Sequence, residues 1–438
     1  MSIHFDVAGI GAGPFNLSVA ALLAPHGRIR SAFFDRREQF DWHPGMMVDD
    51  AAMQTSFLKD LVLSADPTSA YSFIAYLVAK HRFHRFIHAG FTHVRRYEFA
   101  DYLQWVAEKL PNLHFKHEVQ EIRWSENGFR LQFDGKCEHA RHLVVATGLT
   151  PNIPDWARRH EHPRCLHSHH YLARVPDATG LRIAVVGGGQ SGAEVVLDLM
   201  SGRRGRTQSI CWLSRRHTLE ALDEAPFSNE FFTPSYVNAF HSLPMACKPA
   251  LIRQQTLTGN GISHETLRQI YQTLYLSSLQ EGREQRLRIL PHRDVRAMEC
   301  LPAGGWILAA HNGFDDRIHH VDADVVVLAT GYLTRLPACI EPLRGRLNID
   351  QQGHLPLRHD FSVPWDGPAD HHIFVQNGGL HSHGIADPQL SLAAWRGAII
   401  ANAILGEERY ATAAPPFPIE WASEAAPGSW SQRGQDHT

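Results

Sequence analysis

The chain has 438 residues, of which 44% are hydrophobic and 20% charged; that is enough for roughly two to four domains with substantial cores, and it excludes general disorder. Lys and Arg total 42 against 45 Asp and Glu, a net charge of −3 with histidine neutral. No basic excess exists to drive binding to nucleic acid or an anionic membrane.

Residues 3–10 form a strand-like run with no basic and apolar leader before it, so no signal peptide is expected. Residues 5–24, FDVAGIGAGPFNLSVAALLA, read as strand, glycine turn and helix, and the next run, 31–34, ends at Asp35. HLVVATG at 142–148 has the pattern of a buried strand. RIAVVGGGQSGAEVVLDLM at 182–200 repeats the opening unit, and its following strand, 209–214, ends in Arg215 and Arg216. From about 220 to 285 the pattern turns helical, with helices expected over 246–258 and 264–280, the latter on Leu267, Ile270, Tyr271, Leu274 and Tyr275. DVVVLATGY at 324–332 mirrors the earlier ATG strand, and 388–406 reads as a helix with proline at its start and glycine at its stop. From about Ala411 the chain is rich in Ala, Pro, Gly and Ser, and a partly mobile tail is expected over 413–438. No apolar run approaches the roughly 18 residues of a membrane span. The six cysteines, Cys137, Cys165, Cys211, Cys247, Cys300 and Cys339, contain no CxxC, which excludes a zinc ribbon or adjacent redox dithiol and suits a reducing, cytoplasmic setting.

Two strand–turn–helix–strand units imply an α/β fold with parallel, doubly wound sheets. In the first turn, Gly11 permits the tight bend and Gly13 lets backbone approach a pyrophosphate at a helix N-terminus. Asn16 stands where a third glycine is usual, and Asp35, 24 residues after Gly11, is placed to accept ribose hydroxyls. An acid there favours a 2′-hydroxyl over a 2′-phosphate, so this pocket suits FAD or NAD; an ordinary βα glycine turn is the alternative. The second turn, Gly187, Gly189, Gln190 and Gly192, is a complete fingerprint. Arg215 and Arg216 replace the acid and favour NADPH, against an ordinary solvated charge pair. FAD first and NADPH second imply a flavin-dependent oxidoreductase, with the ATG turns, including Thr330 and Gly331, at domain crossings. The expected layout is therefore two Rossmann-like dinucleotide-binding domains: FAD over 1–175 and 335–412, NADPH over 176–220 and 286–334, and a small helical substrate-binding insertion over 221–285. Lack of a cysteine pair disfavours disulfide reductases. The flavin monooxygenase fingerprint FxGxxxHxxx(F/W) is matched by EHPRCLHSHHY (161–171) only at His167 and Tyr171.

The segments GAGPFNLS (11–18), WHPGMMVDDAAMQTSFLKDLV (42–62), PTSAYSFIAYL (67–77), VVGGGQSGAE (185–194), LDEAPFSNEFFTP (222–234), ATGY (329–332) and SHGIADPQLSLAAWR (382–396) resemble the lysine/ornithine N-hydroxylase family, the class B flavin monooxygenases of hydroxamate siderophore biosynthesis. The resemblance spans about residues 5–420 and is strongest to the bacterial L-lysine N6-hydroxylase branch of aerobactin synthesis. It implies that NADPH reduces FAD, that the flavin takes up O2 as a C4a-hydroperoxide, and that a terminal amine is hydroxylated by it. Such a site must exclude water and hold the amine neutral, against a reference pKa of about 10.4.

The resemblance also implies residue roles. Gln54 matches the glutamine beside the flavin's reactive edge, with a loop-tying buried amide as the alternative. Lys59 matches the lysine that binds the substrate α-carboxylate, with an ion pair to Asp60 or another acid as the alternative. Gln190 and Arg215 match nicotinamide-cofactor contacts. Asn229 matches an asparagine that contacts substrate and NADP+, or is a turn or cap residue. Ser391 matches a serine near the substrate amine, or faces its own helix. Trp42, Met53 and His43 are expected near the isoalloxazine. The ornithine branch has a further carboxylate-binding asparagine, to which Asn260 in GNGISHE (259–265) does not clearly align. The implied substrates are L-lysine or a diamine such as putrescine or cadaverine, with O2. Rival readings are a sulfur- or ketone-oxidising monooxygenase and a flavin-binding sensor or scaffold; a homo-oligomer, dimer or tetramer, is compatible. Thirty histidines raise the question of a metal, but no HExxH occurs, and no metal is expected. Apart from His43, His167 and His383, the histidines are expected at the surface, turning the net charge positive by about pH 6.

Overall fold

The computed structural model describes residues 4–126, 128–160, 162–279, 286–302, 304–414 and 417–422. Its first sheet begins with β1 (Phe5–Ile10), β2 (Ser31–Phe34), β3 (Leu113–His114), β4 (Glu121–Ser125), β5 (Gly128–Gln132) and β6 (Cys137–Val145), in the order β3-β2-β1-β6-β5-β4. The run from β3 to β6 is parallel, while β4, β5 and β6 form an antiparallel meander. A short β7 (Thr150–Pro151) leaves this sheet. The second sheet uses β8 (Cys165–His167), β9 (Arg182–Val186), β10 (Ser209–Leu213) and β11 (Leu287–Leu290). An antiparallel trio follows, β12 (Arg293–Cys300), β13 (Trp306–Asn312) and β14 (Arg317–Ala323), and then β15 (Val325–Leu328) completes the all-parallel order β11-β10-β9-β15-β8. The chain returns through β16 (Tyr332–Leu333), antiparallel to β7, and β17 (Ile373–Val375), which pairs with the C-terminal half of β6.

Strand periodicity explains why the second sheet reads as unbroken apolar runs. Ile183, Val185, Ile210, Trp212, Val325 and Val327 face one core with the helix Gln190–Ser201. Ala184, Val186, Cys211, Leu213, Val326 and Leu328 face another, closed by the antiparallel trio through Met298, Trp306 and Leu308. Both faces are covered, as parallel sheets require. Against the first sheet, helix Pro14–Leu23 is buried on all sides and packs on helix Ala393–Leu405. Gly397 permits that approach, since a Cβ there would lie 2.4 Å from Ser18 Oγ.

Three expectations need correction. β8, placed in the first domain by the 1–175 boundary, is the edge strand of the second sheet, because Leu166 is buried in that sheet's core. The single helix expected over 246–258 is two, Lys248–Gln254 and Thr256–Asn260, interrupted at Gln255, whose amide turns inward to the Tyr236 hydroxyl. The last helix starts at Ala393 instead of Pro388, after a 3-10 turn, Leu390–Leu392, and ends at Gly406 with φ 70° as expected. The insertion is helical, with Pro226–Asn229, Pro234–Ser242 and His264–Ser278 as its other helices, the last two capped by Thr233 and Ser263. Most of the expected tail, 423–438, lies outside the described residues. No helix among the described residues is long and apolar enough to cross a membrane.

Most described histidines are exposed or half-buried, as expected, with four exceptions. His139, His142, His167 and His383 are buried. Burial holds His142 down to about 3, with His372 and Arg141 adding to it, and His167 down to about 4. The unfolded chain binds these protons near pH 6.5 and the folded chain does not, so stability is present above that value and falls as the pH drops through it. Each such histidine removes roughly 1.4 kcal/mol per pH unit between 6.5 and its folded value. Urea unfolding at pH 7.5 and 5.5 tests this: the midpoint is expected to fall, and an unchanged midpoint contradicts it.

Candidate functional site

The first glycine turn is closed at Gly11 and open at Gly13. Gly11 has φ +87°, and a Cβ there would meet Ala146 O at 2.6 Å. Gly13 caps the helix Pro14–Leu23 and has open space where a Cβ would stand, a cradle at a helix N-terminus. Asn16 is buried and pins the turn from beneath: Nδ2 donates to Gly11 O at 2.7 Å and to Ile10 O and Val144 O, while Oδ1 accepts from Gln376 Nε2 at 2.8 Å. Its amide is therefore engaged by protein, and Asn16 shapes the cradle without lining it. Asp35 accepts from Ala12 N–H at 2.8 Å and from Arg37 Nη2 at 2.7 Å. Burial pushes its pKa up, but the Arg37 and Ala12 hydrogen bonds outweigh this and keep it below the usual carboxylate range. Oδ1 accepts from Arg37 N–H and Nε and Oδ2 from Ala12 N–H and Arg37 Nη2, so all four lone-pair sites of this ionised carboxylate are engaged and a ribose hydroxyl has to displace part of the Arg37 fork. Trp42 packs on Phe99, its ring 5.0 Å from that of His43, which adopts a left-handed φ of 53° at the start of the 3-10 turn Pro44–Met46.

Ser18, on the buried helix, brings two distant motifs together. Its Oγ donates to Leu61 O at 2.6 Å and lies 3.2 Å from Ala393 O. Lys59 and Ser391 are each two residues from those carbonyls. Asp60, buried, accepts from the amides of Val62, Leu63 and Phe73, so it holds the turn and not Lys59. Lys59 is half-buried with no carboxylate within 4.0 Å among the described residues. Burial lowers its pKa, and the field of Glu230 opposes that shift. Gln54 is exposed, its amide free of hydrogen bonds among the described residues, so it does not tie loops together. Ser391 sits in the 3-10 turn before the last helix, its Oγ buried and unpaired. Asn229 is exposed at the end of its short helix and donates to Glu224 O at 3.1 Å, a turn-holding bond that leaves its Oδ1 free.

In the second turn, Gly187 has φ +135° and lies against Ala329 O, Gly192 lies against Gly187 O, and the Cβ direction of Gly189 is open apart from Asn260 O at 3.9 Å. Gln190 accepts from Ser263 N–H at 2.8 Å and donates to Glu194 and Thr266, which fastens the insertion's long helix to the turn. Glu194 in turn takes a two-pronged ion pair from Arg96 of the first unit, at 2.6 and 2.9 Å. Of the two arginines after β10, Arg216 pairs with Glu220 and donates to Asn260 O, whereas Arg215 is exposed and without a partner among the described residues. The ATG crossings lie side by side: Thr330 Oγ1 donates to Asn152 O, Asn152 Nδ2 to Thr330 O, and His167 Nε2 lies 2.9 Å from Gly331 O.

The sequence pattern described as L-lysine 6-monooxygenase/L-ornithine 5-monooxygenase matches residues 3–334. The chain belongs to this family. It is 40% identical to the L-lysine N6-monooxygenase of Escherichia coli over 97% of its length and 100% of that protein. It is also similar to the cadaverine monooxygenase of the desferrioxamine pathway from Erwinia amylovora, solved bound to FAD, with a TM-score of 0.89, 30% identity and coverage of 97% of this chain and 100% of that one. The ornithine N-hydroxylase of Kutzneria sp. 744, solved with reduced FAD, NADP+ and L-ornithine, matches with a TM-score of 0.85 and 29% identity, over 92% and 99% of the two chains. The expected fold and the expected flavin N-monooxygenase class are met, and the sulfur- or ketone-oxidising and scaffold readings give way.

Family membership makes sense of a group of orphaned atoms. Gln376 Oε1, Asn377 Oδ1, Ser391 Oγ and two nitrogens of Arg396 are buried without partners, all within one segment that borders the first glycine turn. Buried polar atoms left unpaired cost free energy, so such a concentration makes this border a candidate place for a polar ligand. The open cradle at Gly13 at the helix N-terminus fits a pyrophosphate there. Sequence reasoning assigned no role to Asp387 and Arg396, although both lie in the quoted C-terminal motif. Arg396 is buried, donates to Asp387 Oδ1 and O at 2.7 Å each, and lies 4.2 Å over the Phe15 ring of the glycine turn. Asp387 Oδ2 accepts from Gly379 N–H at 2.7 Å. An acid and a base nine residues apart in an otherwise apolar stretch were the available signal.

Proposed function

We propose that the protein hydroxylates the terminal primary amine of L-lysine, in the cytoplasm, for a hydroxamate siderophore, with FAD on the first glycine turn and NADPH on the second. Bound there, the two cofactors supply hydride and oxygen activation; the chain's own residues bind, orient and desolvate. The observation that carries the substrate is Lys59, a half-buried cation with no carboxylate among the described residues to neutralise it. An unpaired buried charge is costly, so a substrate carboxylate is its natural partner. Glu230, the acid whose field reaches Lys59, has no ion-pair partner of its own among the described residues and suits an α-ammonium. Two facing, unpaired charges favour an amino acid over a diamine, which has no carboxylate. Ser391 Oγ and the free amide of Gln54 are the groups offered to the reacting end. Hydroxylation requires the neutral amine, and burial around the site favours that form.

Similarity to a cadaverine monooxygenase keeps the diamine as the second reading. NADPH oxidation and hydroxylamine formation, measured with L-lysine, L-ornithine, putrescine and cadaverine, separate the two. Coupled turnover highest with L-lysine is expected; oxidation of NADPH solely to hydrogen peroxide with every amine overturns the proposal. The cofactor assignment has its own test. Arg215→Ala removes a charge-assisted bond to a 2′-phosphate, so KM for NADPH is expected to rise about 10- to 100-fold while that for NADH stays constant. Equal effects on both cofactors contradict the assignment.

A further inference from the structure

The segment that carries Asn229 and Glu230 is weakly held by its own surroundings. Neither the helix Pro226–Asn229 nor the following turn, Glu230–Phe232, contains a fully buried side chain. Phe232 packs toward the first core, and Phe231 points the other way. There it meets Tyr236 at 4.9 Å and, from the far end of the chain, Trp421 at 5.6 Å; Trp421 stands edge-on to Tyr236 at 4.8 Å. The three rings form one cluster, in the edge-to-face and tilted arrangements that aromatic quadrupoles favour.

Trp421 reaches this place from a fixed root. Tyr410 is buried and donates to Leu22 O, Asn402 Oδ1 accepts the amides of Arg409 and Tyr410, and Trp395 Nε1 donates to Thr412 O at 3.0 Å. Trp421, nine residues beyond Thr412, lies against the helical insertion. Beneath the rings lies a cavity of about 470 Å3, lined by Phe231, Tyr236, Phe240, Leu251, Gln255 and Trp421. Trp421 is itself half-buried and belongs to none of the core clusters.

We infer that the short segment 417–422 is a strap and that its Trp421 is a positioning residue, holding the Asn229–Glu230 turn opposite Lys59 through Phe231. The inference rests on the proposed reading that this turn faces the amine. In full-length Trp421→Ala, KM for the amine is expected to rise about tenfold, the loss of one aromatic pair. The share of NADPH oxidised to hydrogen peroxide rises with it, while FAD content and the rate of flavin reduction by NADPH stay at the wild-type level. Trp421→Phe restores most of the amine KM. An unchanged amine KM and coupling in Trp421→Ala overturns the strap, and so does a loss of FAD and of flavin reduction in parallel with the amine effect, because that is general damage. Lys59→Ala run beside it separates the two ideas. If that variant also leaves the amine KM unchanged, the reading of the site fails; if it alone raises KM, only the strap fails.

Discussion

Lys59→Ala is expected to lower kcat/KM for L-lysine by about 30- to 1000-fold, almost wholly through KM, and to change turnover of cadaverine by less than about threefold. The size follows from truncating one partner of a desolvated, charge-assisted pair, about 2–4 kcal/mol. The asymmetry follows from chemistry: cadaverine has no carboxylate to lose. The pH profile carries the same signature. Burial shifts Lys59 below the ordinary lysine value, so its proton, and with it the carboxylate clamp, is lost earlier on the alkaline side than for a free lysine. The reacting amine gains nucleophilicity over that range. L-lysine is therefore expected to give a bell-shaped kcat/KM and cadaverine a profile that only rises. Equal losses for both substrates in steady-state assays show that Lys59 serves the fold instead of the carboxylate.

The largest effect on stability is expected at Asp387 and Arg396. Asp387→Ala leaves a guanidinium in the core with a carbonyl oxygen, Asp387 O, and the Phe15 and Phe361 rings for company. Breaking one side of a buried pair costs about 3–5 kcal/mol, which in a chain of this size lowers Tm by about 3–5 °C. The paired replacement Asp387→Leu with Arg396→Met is expected to be milder than either single change, since no charge is stranded. Calorimetry of the four proteins checks this, and additive losses contradict it. FAD release is expected to accompany the single variants, because Asp387 also holds Gly379 and Arg396 lies on the ring after Gly13 and Pro14.

What was legible in the chain was local. Gly11, Gly187 and Gly192 announce their turns because a Cβ on each would meet a neighbouring carbonyl oxygen, and that constraint is written within a few residues of the turn. The strands around 185 and 327 announce themselves because both faces are buried. The functional motifs led to Lys59 and Ser391 but not to Ser18, which ties their segments together through two carbonyls, since a serine on a buried helix has no local pattern to distinguish it. The burial of particular histidines was hidden for the same reason. His383 is buried because its ring stacks on Phe361 at 4.1 Å, and His142 because it stacks on His372 at 5.3 Å; neither partner is near enough in sequence to be read as one. Edge strand β8 was assigned to the wrong sheet because three residues carry no information about which sheet edge is vacant.

The paired crossings β7 and β16 bear on the order in which the chain folds. β17 joins β6 at Ile373 and Leu143, about 230 residues apart, a closure that costs a great deal of chain entropy if made from the unfolded state. Once the intervening unit has folded, its two ends emerge together at Thr150 and Leu333, and the remaining closure spans only the segment from 334 to 372. The first sheet is thus finished last, by a strand that arrives after its host. A nascent chain stopped within that segment presents the C-terminal half of β6 as an open parallel edge, and this is the stage at which it is most exposed to misassociation.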